Sequence, residues 1–116
     1  MVEIQRGDIV LVNFDPTKGA EHKVGAEILK QRPAVVLTRN SINRVRRTLI
    51  VVPLSSSPKP AEIFAVPVPS AGPDSVAVCD QLTAIDKRAR ILKQLGRISP
   101  QDLRLIEQGV RDALAL

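Results

Sequence analysis

Aromatic, histidine and cysteine side chains are almost absent from this chain, and their scarcity excludes several kinds of chemistry. Phe14 and Phe64 are the only aromatic residues, and there is no tryptophan or tyrosine. Folds that recognise RNA by stacking its bases need exposed aromatic rings, so we do not expect that mode of binding. One histidine, His22, and one cysteine, Cys79, cannot build the usual zinc site, and no carboxylate cluster has magnesium spacing. We expect a protein that works without a metal or another cofactor.

Long apolar runs are also missing from the sequence. The N-terminus has no basic segment followed by an apolar one, and no stretch is long enough to span a membrane. The single Cys79 cannot form an internal disulfide. These absences predict a cytoplasmic protein without a membrane segment. A length of 116 residues predicts one domain, over residues 1–116, with one modest core.

Positive charge is what the chain has in excess. Seventeen lysines and arginines against twelve acidic residues give a net charge of +5 and a pI near 10. The expected partner is a polyanion, either a nucleic acid or an acidic peptide, and charge alone does not choose between them. Basic runs are usually solvated, but two of them in so small a chain suggest one continuous basic surface. The two clusters are Arg39, Arg44, Arg46 and Arg47, and Lys87, Arg88, Arg90, Lys93 and Arg97.

Short runs of β-branched and apolar residues, separated by turn residues, predict a mainly β fold. The predicted strands cover residues 9–14, 34–37, 49–54, 63–68, 75–79 and 81–85. Because no long amphipathic helix separates them, they favour a small, strongly bent barrel over a parallel sheet. We expect helix only at the C-terminal end, where Ser99 is a predicted N-cap and Asp102 an acidic residue in the first turn. Leu103, Ile106 and Val110 form the apolar stripe that would pack this helix on the barrel.

Arg32 is the first candidate for a functional residue. Pro33 disfavours helix at the preceding position, so Arg32 is expected at the first residue of an extended strand. A guanidinium held there can bind a phosphate through two parallel hydrogen bonds. The alternative is an ordinary surface arginine at a sheet edge.

Ser55 is the second candidate, because it follows a predicted strand in a run of three serines whose hydroxyl and N–H groups can converge on an anion. The alternative is a solvated turn. Neither a nearby histidine nor a G-x-S-x-G motif marks a serine hydrolase. Cys79 alternates with positions expected to be buried, which predicts a core thiol and not a reactive one.

With these residues in hand, the chain resembles the MazF and PemK family of toxin endoribonucleases from bacterial toxin-antitoxin pairs. The resemblance implies an SH3-like barrel with a C-terminal helix that acts as a homodimer and cleaves single-stranded RNA without a metal. It also implies a cognate antitoxin whose acidic C-terminal segment occupies the RNA groove. The residues that carry it are Arg6-Gly7-Asp8, Phe14-Asp15-Pro16-Thr17-Lys18-Gly19, Arg32-Pro33-Ala34-Val35-Val36, Val51-Val52-Pro53-Leu54-Ser55, the run from Ser75 to Gln81, and Ile85-Asp86-Lys87.

The resemblance also implies roles for single residues. In the family an arginine and a hydroxyl residue carry the cleavage, and they fall on Arg32 and Ser55, although the hydroxyl residue is commonly threonine. A glutamate serves the site as well, and here the tripeptide Gly-Ala-Glu occurs twice. Glu27 has the family's spacing to the arginine, whereas Glu21 has its spacing to the Asp-Pro-Thr turn, and we assign the role to Glu27. The expected RNA contacts are Lys18, Asn40, Gln81 and Lys87.

Two functions other than RNA cleavage remain open at this stage. Toxins that poison DNA gyrase share the same barrel, but they use a C-terminal tryptophan, and this chain ends Ala113-Leu114-Ala115-Leu116. A basic barrel that only binds RNA or an acidic peptide would show the same charge. Only a test for RNA cleavage separates these alternatives.

Overall fold

The structure is a computed structural model that describes residues 3–14, 31–56 and 64–116. The strands in these ranges are β1 (Asp8–Asn13), β2 (Gln31–Val36), β3 (Thr48–Ser55), β4 (Ala65–Pro67), β5 (Val76–Val78), β6 (Thr83–Asp86) and β7 (Ile91–Arg97). The helices are α1 (Asn40–Val45), α2 (Lys87–Arg90) and α3 (Pro100–Leu114), with 3-10 turns at Pro69–Ala71 and Cys79–Gln81. None of the described helices is long and apolar enough to cross a membrane.

The strands form one strongly bent antiparallel sheet. Their order is β4-β5-β3-β2-β1-β7, and β6 also pairs with β3. The bend lies in β3, because one edge of this strand pairs with β6 over its first four residues and with β5 over its last two, while β2 pairs with residues 51–53 on the other edge. The predicted small, mainly β barrel with a C-terminal helix is therefore confirmed.

Two predictions about secondary structure are wrong. Helix is not confined to the C-terminal end, since α1 and α2 also form; both are short and show no long amphipathic pattern. The basic stretch after Arg90 is not only a solvated run but the seventh strand, β7. Two register shifts against β1 interrupt the alternation of apolar and polar residues in β7, which removes the pattern that identifies a strand.

The two faces of the sheet bury two separate clusters of apolar residues, because alternate side chains of a strand point to opposite sides. The inner cluster fills the barrel and consists of Ile4, Val10, Val12, Ala34, Val36, Leu49, Val51 and Ile85. The outer cluster lies between the sheet and α3 and consists of Ile9, Val35, Val52, Leu54, Val68, Ala77, Cys79, Ile98, Ile106 and Val110. Arg32 and Ser55, described below, occupy positions of β2 and β3 on the same face as the inner cluster.

α3 begins and docks as the sequence predicts. The Ser99 hydroxyl accepts a hydrogen bond from the Asp102 N–H at 3.1 Å, and the buried Asp102 carboxylate accepts one from the Ser70 N–H at 2.9 Å. Farther along, Gly109 lies so close to the sheet that an added Cβ would come within 2.6 Å of the Cys79 sulfur. A glycine here allows the helix to approach the sheet more closely than any side chain would.

The Arg6-Gly7-Asp8 stretch fixes the other end of the fold. Gly7 has a φ of +90°, and its N–H donates to the Val36 carbonyl at 2.8 Å. The Asp8 side chain is 1% exposed and accepts hydrogen bonds from the Gln5 N–H, the Gln94 amide and the Arg97 guanidinium, at 2.7 to 2.8 Å. This carboxylate therefore holds β7 against β1.

Replacing Asp8 with alanine should lower the free energy of unfolding by about 2 to 4 kcal/mol, because it removes a buried carboxylate that accepts three hydrogen bonds. The loss should stay below the largest values for buried ion pairs, since Arg97 is 57% exposed and can turn to water. Urea unfolding of wild type and variant measures the difference. The control is Gln108→Ala, which removes an exposed bond to Asp112 and should cost less than about 0.5 kcal/mol. Equal losses in the two variants would contradict the role given to Asp8.

Candidate active site

Arg32 is the second residue of β2, and it is partly buried. β2 begins at Gln31, one residue earlier than expected, and Arg32 is opposite Val12 of β1. The Arg32 Nε is buried and has no hydrogen-bond partner within the described ranges. A buried N–H without an acceptor costs free energy, so this atom is suited to receive one from a ligand.

Ser55 is brought beside Arg32 by the pairing of β2 with β3. The observed partners are Ala34 with Pro53, Val35 with Val52 and Val36 with Val51. Continuing this register by two residues sets Arg32 opposite Ser55, and the alternation of side chains puts both on the inner side of the barrel. The serine is half-buried and forms the last residue of β3. A guanidinium and a hydroxyl thus meet at one end of the barrel.

Gln81 lies near the middle of β3. It ends the 3-10 turn Cys79–Gln81, which connects β5 and β6, and both of these strands pair with β3. Val76 of β5 pairs with Ser55, and β6 resumes the pairing where Thr83 is opposite Val51. The connection that carries Gln81 is therefore beside the middle of β3, a few residues from Ser55.

Arg90 adds a second guanidinium that sequence reasoning did not single out. Its Nη1 donates to the Asn13 carbonyl at 3.3 Å, and Asn13 is opposite Gln31, the neighbour of Arg32. The sequence showed Arg90 only as one member of a basic cluster. Its position depends on α2 turning the chain back toward the end of β1, which no local pattern reveals.

Asn40 and Lys87 do not lie with Arg32 and Ser55. The Asn40 Oδ1 accepts from the Arg6 N–H at 2.7 Å, and the Lys87 Nζ donates to the Asn43 carbonyl at 2.5 Å. Both bonds hold α1, which follows the opposite end of β2. The pairing of Asp86 with Thr48 places Lys87 beside the start of β3, and Ser55 is its end. The eight residues of the bent strand β3, about 23 Å measured along the chain, lie between these ends.

Two of the predicted site residues, Lys18 and Glu27, lie outside the described residues. The alternative glutamate, Glu21, and the turn over residues 15–19 lie outside them as well. The choice between Glu21 and Glu27 therefore remains a prediction.

Asp86 organises the basic segment that forms α2. Its carboxylate accepts from the N–H groups of Arg88 and Ala89, each at 2.9 Å, and from the Arg47 guanidinium at 3.1 Å. These contacts hold the pKa of Asp86 below its usual value, with the Ala89 hydrogen bond as the largest cause. The charged form of Asp86 thereby caps α2, the helix that positions Lys87 and Arg90.

Cys79 is a core residue, as the sequence predicts. Its side chain is fully buried in the outer cluster. Burial raises the pKa of its thiol to about 11, and the nearby charges of Asp80 and Asp112 act in the same direction. A thiol that is buried and protonated at neutral pH does not act as a nucleophile.

Comparisons with known proteins agree with this architecture. The family of PemK-like, MazF-like toxins of type II toxin-antitoxin systems matches residues 5–114. The endoribonuclease toxin MazF of Escherichia coli K12 is 36% identical over 104 residues, covering 90% of this chain and 87% of that protein. MazF of Deinococcus radiodurans has a TM-score of 0.81 at 24% identity over the full length of both chains. A MazE-MazF structure from the same organism has a TM-score of 0.77 at 25% identity, covering 100% of this chain and 99% of the matched chain.

The titration of Asp86 should show how α2 is held. Because its pKa is lowered in the folded state, the stabilisation it gives is present above the usual value of 3.8 and is lost as the pH falls through the folded pKa. We expect the Asp86 carboxyl carbon to titrate below pH 3.8 in an NMR experiment. Arg47→Ala should leave most of the shift, since the backbone bonds are the larger cause. A return to the usual pKa in that variant would show that Arg47 is the main partner.

Proposed function

The chain belongs to the PemK-like, MazF-like family of toxins of type II toxin-antitoxin systems, and we propose that it cleaves single-stranded RNA without a metal ion. The observation that carries this proposal is the register of β2 and β3, which sets Arg32 opposite Ser55 when it is continued by two residues, together with a buried Arg32 Nε that lacks a partner in the described part of the chain. A phosphate supplies the acceptor that this atom needs. The E. coli relative is named as an endoribonuclease toxin.

The reaction we propose uses the RNA as its own nucleophile. The 2′-oxygen attacks the adjacent phosphorus, the bond from phosphorus to the 5′-oxygen breaks, and the products are a 2′,3′-cyclic phosphate and a free 5′-hydroxyl. A base must take the proton of the 2′-hydroxyl, and an acid must protonate the leaving oxygen. The phosphorane between these steps carries two negative charges, which a fixed cation stabilises.

Arg32 is suited to the cationic role. A guanidinium carries its proton and its charge when the substrate binds, so it is a poor base. In this proposal Arg32 binds the non-bridging phosphate oxygens and donates the proton to the leaving oxygen. Ser55 donates a hydrogen bond to a phosphate oxygen, and Glu27 takes the proton of the 2′-hydroxyl. A serine keeps the hydrogen bond of the family's threonine but lacks the methyl group that restricts its rotamer.

The partners follow from charge and from the family. An antitoxin with an acidic C-terminal segment would compete with RNA for the same basic surface, which agrees with the net charge of +5. The fold it shares with MazE-MazF of D. radiodurans supports a partner of this kind. We further propose a homodimer and a cytoplasmic location, where RNA and antitoxin are both present. Gln81 is proposed as an RNA contact on the connection between β5 and β6, while Lys18, Asn40 and Lys87 would contact RNA away from the cut.

Arg32→Ala should lower kcat/KM for RNA cleavage by about 100-fold to 1,000-fold, as expected when one group that stabilises a transition-state charge is removed. The assay uses single-stranded RNA with EDTA present, and sequencing of the fragments at their 5′ ends identifies the cut. Arg104→Ala, at an exposed position of α3, is the matched control and should cleave at the wild-type rate. Cleavage by Arg32→Ala at the wild-type rate would refute the role of Arg32. RNA that stays intact with the wild-type protein would favour a barrel that binds RNA, or a toxin that acts on gyrase.

The duplicated glutamate can be tested in the same assay. Glu27→Gln removes the proposed base without changing the size of the side chain, so kcat should fall by about 100-fold or more with little change in KM. Glu21→Gln is the internal control and should be close to wild type. The reverse result, with Glu21→Gln inactive and Glu27→Gln active, would assign the base to the other copy.

A further inference from the structure

A cavity of about 270 Å³ lies between α2 and β7, outside the residues assigned to cleavage. We name it the α2-β7 pocket. Its apolar side chains are Ile4, Ile91 and Leu92, and its polar ones are Lys87, Arg88, Lys93 and Gln94. Three of the seven are cations and none is acidic. These side chains therefore suit a ligand that has an anionic group and a less polar part that can pack on aliphatic side chains.

Two of these cations make no ion pair with any residue that the structure describes. Arg88 and Lys93 are both exposed, and neither side chain forms an ion pair across residues 3–14, 31–56 and 64–116. Lys87 differs, because its Nζ donates to the Asn43 carbonyl and helps to hold α1. The pocket thus presents two charges that remain available to a ligand.

The pocket is close to the proposed cleavage site. Val12 is opposite Arg32 on one side and opposite Ile91 on the other, so these three residues form one row across three strands. Two strand spacings separate Arg32 from Ile91 by about 10 Å. Arg90 is the last residue of α2, and its guanidinium donates to the carbonyl of Asn13, the last residue of β1. Positive charge therefore continues from Arg32 through Arg90 to the pocket.

We propose that the α2-β7 pocket binds the sugar-phosphate backbone of a nucleotide that flanks the cleaved one in the same RNA strand. This inference rests on the proposed function. Arg88 and Lys93 would contact the phosphate, and the sugar would pack on Leu92 and Ile91. Contacts of this kind position the strand without reading its bases. An acidic peptide has the same charge, but RNA is favoured because the row of residues joins the pocket directly to Arg32.

The decisive experiment measures how RNA binding depends on salt. The probe is a 2′-O-methylated oligonucleotide that contains the cut sequence with several nucleotides on each side and lacks the attacking hydroxyl. The double variant Arg88→Ala/Lys93→Ala should bind it about tenfold or more weakly. The slope of log K against log salt should also become shallower by about 1.4, because each phosphate of a single strand that the protein neutralises contributes about 0.7.

The matched control is the double variant Arg104→Ala/Arg111→Ala, which removes the same charge from exposed positions of α3. It should keep the wild-type slope. In cleavage assays the pocket variant should raise KM for the long RNA, leave kcat unchanged and cut at the same sequence. An RNA trimmed on the flank that reaches the pocket should be cut equally well by wild type and by the pocket variant.

Three results would overturn the inference. Equal changes of slope in both double variants would mean that net charge matters and the pocket does not. The pocket variant could also bind RNA as well as the wild type does but fail to bind a peptide rich in glutamate and leucine. That result would assign the pocket to an acidic protein segment. A shifted cut sequence would mean that the pocket reads bases. If the wild type cleaves no RNA, the proposed function has failed. If the wild type cleaves RNA and the pocket variant binds and cleaves it as the wild type does, only this inference has failed.

Discussion

The register of β1 against both of its neighbours is the constraint on which the rest of the molecule depends. Val12 sets the position of Arg32 in β2 and of Ile91 in β7, and a slip of one residue would turn each of these side chains to the opposite face. The buried Asp8 carboxylate secures the other end of β1 by binding Gln94 and Arg97 of β7. Cleavage site and basic pocket are therefore both positioned by the strand between them.

The two clusters of the core have different roles: the outer one stabilises the packing of α3, and the inner one leads to the proposed site. The outer cluster holds α3 against the sheet through Ile106, Val110 and the close approach at Gly109. The inner cluster fills the barrel, and the strand positions that face it lead to Arg32 and Ser55 at the end of the sheet. Side chains of α3 that face solvent can change without disturbing the site, because no residue of the helix belongs to the inner cluster.

The sequence predicts the parts of the fold that rest on strong local patterns. Runs of β-branched residues locate β1, β2 and β3, and the Ser99 cap with its apolar stripe locates α3, so the meeting of Arg32 and Ser55 follows from strand order. It could not predict α1 and α2, because their short lengths leave them dependent on contacts such as those of Asn43 and Asp86. For the same reason the sequence did not show that Asn40 and Lys87 are anchored at the other end of the sheet from Ser55.

The two register shifts in β7 have a consequence for how the protein behaves in a crowded solution. Among the described strands β7 pairs with β1 alone, so its other edge presents backbone donors and acceptors that a foreign strand could join. A bulge offsets these groups from the regular spacing of a flat strand and increases the local twist. Leu92 and Leu95 are about half exposed at the two shifts, and Lys93 places a charge between them. An edge of this shape resists templated aggregation while leaving its side chains available for recognition.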